Sequence, residues 1–170
     1  SIGRTPESRD LDKIPVIKLE ASDVKIKINK ITAGKNMNCA LYEKVATNSQ
    51  HLKCWGDNRY EQTNVPKSLK KPTFIRAASL NTCALENQKL VCWGLKNGGQ
   101  LSIPKDVQAI NAVDVGKNHI CALYNGKIKC WGFNDHAQMD VPKNIVNPKM
   151  IAAGVYHSCV LDDENVKCWG

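Results

Sequence analysis

Apolar and polar positions alternate along this chain in short runs separated by turn residues, a pattern of strands. Each successive stretch predicts one strand ending at a small residue (KITAG, FIRAA, AVDVG, MIAAG) and a second through CAL or CVL. A third runs through KCWG or VCWG, and a fourth leads to Val-Pro or Ile-Pro. The clearest hairpin is Cys121 to Gly132, CALYNGKIKCWG. Its Asn125-Gly126 pair suits a type I′ turn, because both residues tolerate positive φ.

Counting outward from that turn sets Tyr124 opposite Lys127, Leu123 opposite Ile128 and Cys121 opposite Cys130. Pairs alternate along an antiparallel ladder, so the cysteines fall at a non-hydrogen-bonded position, where α-carbons approach to roughly 4.5 Å. That separation admits a disulfide. The expectation is a cross-strand bridge closing the hairpin.

The phrase repeats. Trp55, Trp93, Trp131 and Trp169 each stand in a CWG triplet, 38 residues apart, and a period of this length signals a solenoid or propeller. Each triplet follows a second cysteine, which pairs all eight: Cys39 with Cys54, Cys83 with Cys92, Cys121 with Cys130 and Cys159 with Cys168. The first hairpin is longer at its tip, which leaves the register behind it intact. Each bridge stabilises by roughly 2–3 kcal/mol on the chain-entropy account. Zinc is disfavoured as the reason for paired cysteines, since no C-x2-4-C knuckle occurs and no histidine recurs in all four repeats.

Four short antiparallel strands per period make one propeller blade. The predicted fold is therefore all-β, a β-propeller or partial propeller of four visible four-stranded blades with one disulfide each. Gln62, Gln100 and Gln138 recur seven residues after a tryptophan, and Pro66, Pro104 and Pro142 eleven after it. Proline there marks a strand edge or end. The repeats occupy residues 31–170, after an N-terminal segment, 1–30, in which KIPVIKL and DVKIKINKI are strand-like.

The succession AGxxHSCVL, xVKCWG and NxxxQxxVPK resembles the repeats of the regulator of chromosome condensation family, in the cysteine-bearing form of extracellular proteins. The resemblance implies a β-propeller, commonly of seven blades, that presents loops to another macromolecule; relatives include secreted β-lactamase inhibitors and receptor ectodomains. The chain departs from it where Ala78 replaces the glycine of Gly34, Gly116 and Gly154, and where Met37 and Asn81 replace His119 and His157. The count is also short, since the fourth repeat stops at Trp169-Gly170. Three completions are open: further blades in a larger ring, pairing with a second copy, or a small closed ring finished by the N-terminal strands. The repeat length favours the larger ring.

Up-and-down connectivity sorts the loops onto two faces. An upper face gathers Asp57, Tyr60, Leu80, Leu95, Phe133, His136 and Tyr156; a lower face gathers lysines that include Lys67, Lys89, Lys105, Lys127 and Lys143. Interfaces favour aromatic anchors and are poor in lysine, so the upper set is the candidate protein-binding surface. The recurring tryptophans read as packing between blades.

Charge and motifs narrow the function classes. The net charge of +8 serves solubility, and the lysines allow weak, salt-sensitive binding to an anionic surface. Without a groove motif, a specific nucleic-acid reader is not expected. No apolar run reaches the roughly 20 residues of a membrane span. GxSxG, HExxH, P-loop and GxGxxG motifs are missing, every thiol is paired, and His119 and His157 read as loop-orienting, so neither enzyme nor cofactor is expected. Four disulfides point to a secreted or periplasmic protein whose signal peptide has been removed. The expected function is recognition of another protein, with enzyme inhibition or assembly into a larger ring as alternatives.

Overall fold

The computed structural model describes residues 18–170, which form twelve strands in four antiparallel sheets. Blade 1 holds β1 (Ile26–Ala33), β2 (Met37–Lys44) and β3 (Ser49–Gly56); blade 2 holds β4 (Phe74–Ala78), β5 (Asn81–Glu86) and β6 (Lys89–Gly94). Blade 3 holds β7 (Ile110–Val115), β8 (His119–Tyr124) and β9 (Lys127–Gly132); blade 4 holds β10 (Pro148–Ala153), β11 (Ser158–Asp162) and β12 (Asn165–Trp169). In every sheet the strands lie in chain order. No helix among the described residues is long and apolar enough to cross a membrane.

The hairpin register is the one the turn predicts: Tyr124 pairs with Lys127, Leu123 with Ile128 and Cys121 with Cys130. Asn125 and Gly126 take φ of 47° and 69°, as a type I′ turn requires. All four disulfides form within their own hairpins, joining Cys39 to Cys54, Cys83 to Cys92, Cys121 to Cys130 and Cys159 to Cys168. Their α-carbons are 4.0–4.1 Å apart, and no cysteine is left free. The longer first hairpin keeps Cys39 opposite Cys54. Cys92, half-buried, packs beside the fully buried Cys83 against the core between blades 2 and 3.

Two expectations are corrected. The sheets have three strands, because the segment leading to Val-Pro or Ile-Pro does not join the ladder. Proline removes a donor there, and the backbone closes into local turns instead, with Val65 N–H donating to Thr63 O and Leu69 N–H to Pro66 O. The apolar residues that mimic a strand are plugs, Val65 and Leu69 packing on one inter-blade core and Ile103 and Val107 on the next. The second correction concerns DVKIKINKI, which continues into KITAG as β1 and pairs with β2 in blade 1, across the expected boundary at residue 30. It supplies nothing to blade 4. Most of KIPVIKL, residues 13–17, lies outside the described residues.

Adjacent blades pack face to face, which is why β5 and β8 are buried on both sides. Met37, Cys39 and Leu41 of blade 1 meet Ile75, Ala77, Ala84 and Trp93 of blade 2. Cys83, Leu85 and Leu90 of blade 2 in turn meet Val113, Val115, Ile120 and Trp131 of blade 3. Each disulfide thus sits on the trailing face of its blade and each tryptophan on the leading face of the next. The two end faces do not pack on each other: Ile31 of blade 1 is 73% exposed, and Val166 of blade 4 is 70% exposed. The four blades do not close into a small ring.

Candidate functional site

The upper face is built from two rows of loops tied to each other through backbone. The N–H of Asp57 donates to Asn36 O at 2.8 Å, Leu95 N–H to Leu80 O at 3.1 Å and Phe133 N–H to Asn118 O at 2.9 Å. The glycine of each CWG makes this crossing possible. Gly132 has φ of 119°, and a Cβ there would stand 2.5 Å from Asn118 O. Only glycine accepts both that φ and that approach.

Beyond the crossing, each loop is fixed to the following blade. Trp93 Nε1 donates to Gln62 O, and Trp131 Nε1 to Gln100 O, both at 2.9 Å; Trp169 Nε1 reaches Gln138 O at 3.0 Å. The glutamine side chains serve their own loops, Gln62 Oε1 accepting from Tyr60 N–H and Gln138 Oε1 from His136 N–H. Asn58 and Asn134 hold the same loops, accepting from Thr63 N–H and Met139 N–H at 3.0 and 2.8 Å. Main chain and buried amides hold the loops, so the remaining side chains are free to face outward.

The expected partner-binding residues fall into four groups. His136 and Tyr156 come together across blades 3 and 4, their rings stacked at 4.4 Å. Lys117 joins them, its Nζ donating to the Tyr156 hydroxyl at 3.2 Å. Phe133 lies on Gly98, where any Cβ would run into its ring, and is half-buried. Leu80 and Leu95 are half-buried partners at the blade 2 crossing. Asp57 is held by Arg59 through a bidentate pair, and the guanidinium's hydrogen bonds keep its carboxyl below the ordinary aspartate range. Tyr60 is 41% exposed and Tyr156 44%. Tyr60 and Asp57 lie two blades along the arc from Tyr156.

His119 is a structural tie. Fully buried, it shares a 2.9 Å hydrogen bond between Nε2 and Ser158 Oγ across blades 3 and 4, and burial pushes its pKa down. His157, at the equivalent place in blade 4, is exposed. Lys117 and the Arg76–Asp114 ion pair, 2.5 Å between Nε and Oδ1, were not singled out from the sequence. The signal that finds them is complementary chemistry one period apart: Arg76 and Asp114 differ by 38 residues, Lys117 and Tyr156 by 39. Of the lower-face lysines, Lys44 is paired with Glu20, and Lys129 and Lys167 on the outer strands are paired with Asp106 and Asp162.

This architecture, radial antiparallel sheets riveted by tryptophan and loop, is that of a β-propeller. No protein-family model matches the chain, and no curated protein matches it. Among solved structures it is similar to the ectodomain of the Physcomitrella patens receptor kinase CR4, at 27% identity and a TM-score of 0.68 over 85% of this chain and 41% of that one. The ectodomain of the Arabidopsis thaliana receptor kinase ACR4 follows at 26% identity and a TM-score of 0.63, covering 84% and 49%. Prp20p of Saccharomyces cerevisiae, at 19% identity and a TM-score of 0.66 over 84% and 43%, shares the fold. The chain therefore spans less than half the length of these three proteins.

Proposed function

We propose that the chain is a non-enzymatic recognition module that binds another protein through its upper-face loops, in an extracellular or periplasmic setting. The observation that carries this reading is the division of labour within each loop. Backbone, glutamine and tryptophan hold it rigidly, while Tyr60, His136 and Tyr156 are left exposed and Phe133 lies half-buried on Gly98. Rigid aromatic side chains bind at low entropic cost. Four disulfides and the likeness to two receptor-kinase ectodomains support the compartment. The repeat phrases support kinship with the regulator of chromosome condensation family.

The test is capture of a protein from culture medium or periplasm by the immobilised chain. Replacing Tyr60, Phe133 and Tyr156 together by alanine weakens capture by about tenfold or more, with the melting temperature nearly unchanged. Undiminished capture overturns the assignment.

A second reading, assembly into a larger ring, is favoured by the end faces. Ile31 on one side and Met150 and Val166 on the other are exposed where inner blades pack. Light scattering separates the two: a monomer supports recognition by the chain alone, an obligate multimer supports assembly.

A further inference from the structure

The first strands of the four blades and the loops after them, together with Asn38, Cys39 and Trp55 of blade 1, line a cavity of about 890 Å³ on the inner side of the arc. Among the described residues its wall carries three cations, Lys35, Arg76 and Lys117, and no aspartate or glutamate. Lys35 and Lys117 occupy one repeat position in alternate blades, directly after Gly34 and Gly116, so both belong to the upper mouth. Their own N–H groups donate to Ser79 O and Gly154 O on the next blade, which fixes where each side chain starts. Ser79 and Val155 fill the same position in the other two blades, leaving the lysines no acidic neighbour in that row.

Deeper in the cavity, Asp114 neutralises Arg76 and also accepts from Ala153 N–H at 2.8 Å, so its charge is already engaged. With Arg76 neutralised, Lys35 and Lys117 leave the partly enclosed mouth positive, and such a site draws the opposite charge toward the axis.

We infer that the axial mouth, through Lys35 and Lys117, receives an acidic segment of the partner protein while the aromatic loops grip the surface around it. The inference rests on the recognition reading and adds the partner's chemistry to it. The chosen occupant is a protein segment because the mouth opens beside Tyr156, whose hydroxyl Lys117 touches, and the aromatic surface extends the contact beyond one anion.

The probe is a fluorescently labelled hexaglutamate peptide, followed by anisotropy at low salt; Trp55, also on the cavity wall, gives a label-free readout. Lys35→Ala with Lys117→Ala weakens binding about tenfold, the loss of two ion pairs at a partly enclosed site. Lys89→Ala with Lys127→Ala removes the same charge from exposed positions on the opposite face and leaves affinity within about twofold. Lys35→Arg with Lys117→Arg restores binding, which shows that the alanine pair did not act through misfolding. Equal weakening by both alanine pairs reduces the effect to net charge and overturns the inference, as does native protein that fails to bind the peptide. Displacement by inorganic phosphate at a matching concentration assigns the mouth to small anions and overturns it too. If the peptide fails while the Tyr60, Phe133 and Tyr156 variant still loses capture, this inference falls and the recognition reading stands.

Discussion

The inter-blade rivet can be weighed by comparing two substitutions that are alike except in one hydrogen bond. Trp93→Phe and Trp131→Phe remove the same atoms from equally buried sites, at 8% and 6% exposure, and each deletes an indole N–H bonded to a loop carbonyl at 2.9 Å. The carbonyls differ in what remains. Gln62 O keeps a second side-chain donor, the Thr82 hydroxyl at 2.9 Å, whereas blade 3 has Ile120 at that place and Gln100 O loses its side-chain donor. A buried acceptor left without its partner costs about 1–3 kcal/mol, and the lost ring volume about 1–2 kcal/mol in both variants. Trp131→Phe therefore destabilises by about 2–5 kcal/mol, and Trp93→Phe by about 1–3 kcal/mol less. Guanidinium unfolding of the oxidised protein, followed by far-ultraviolet circular dichroism, measures the gap. Hydrogen exchange locates it, since amides of the 95–100 loop open faster in the Trp131 variant alone. Equal losses would refute the claim that these bonds hold the loops.

Three further outcomes follow from the same geometry. Under limiting reductant with alkylation and peptide mapping, the Cys159–Cys168 bridge opens first, because Cys168 is exposed while Cys39, Cys83 and Cys121 are fully buried under the next blade; simultaneous opening would contradict the blade packing. Gly132→Ala destabilises by roughly 3 kcal/mol or more from φ and backbone clash together, whereas Gly126→Ala, at φ 69° with open space around it, costs about 1 kcal/mol; denaturant midpoints decide. The Tyr42 hydroxyl is pushed up to about 12, first by burial and then by its 2.7 Å hydrogen bond to Glu20. The folded state holds this proton more tightly than the unfolded one, so its contribution to stability is complete below pH 10 and fades as pH climbs toward 12. Ultraviolet titration shows a late tyrosine transition that is lost in Tyr42→Phe.

What the sequence reveals here is what is local. Asn125-Gly126 and the cysteine spacing specify hairpins, register and bridges, because the interacting residues lie within one hairpin. The missing fourth strand shows the limit of that reasoning. Val65 and Ile103 have the apolar pattern of a strand but fill the seam between blades, and a hydrophobicity pattern does not distinguish a ladder from a plug. The glutamines recur visibly, yet their fastening atom is the main-chain carbonyl, which leaves no mark on residue type. The Lys117–Tyr156 contact escapes a loop-by-loop reading for a different reason: its partners belong to different blades and meet only once residues one period apart are compared.

That one-period separation also explains where sequence variation is tolerated. The fifth position after each tryptophan is Tyr60, Gly98 or His136, and each lies in a loop held by other atoms, so its side chain is not needed for folding. What occupies it decides how the loop meets the next blade. His136 stacks on Tyr156, and glycine at 98 lets the Phe133 ring settle on bare backbone. In repeat numbering Leu80 is to blade 2 what Tyr156 is to blade 4, so the counterpart of the tyrosine that His136 stacks on is aliphatic there. The relief of the upper face is thus set at positions that differ from one repeat to the next. Residues that keep the period carry the propeller, and those that break it, such as Lys117 against Ser79 and His136 against Gly98, set the chemistry of the upper face.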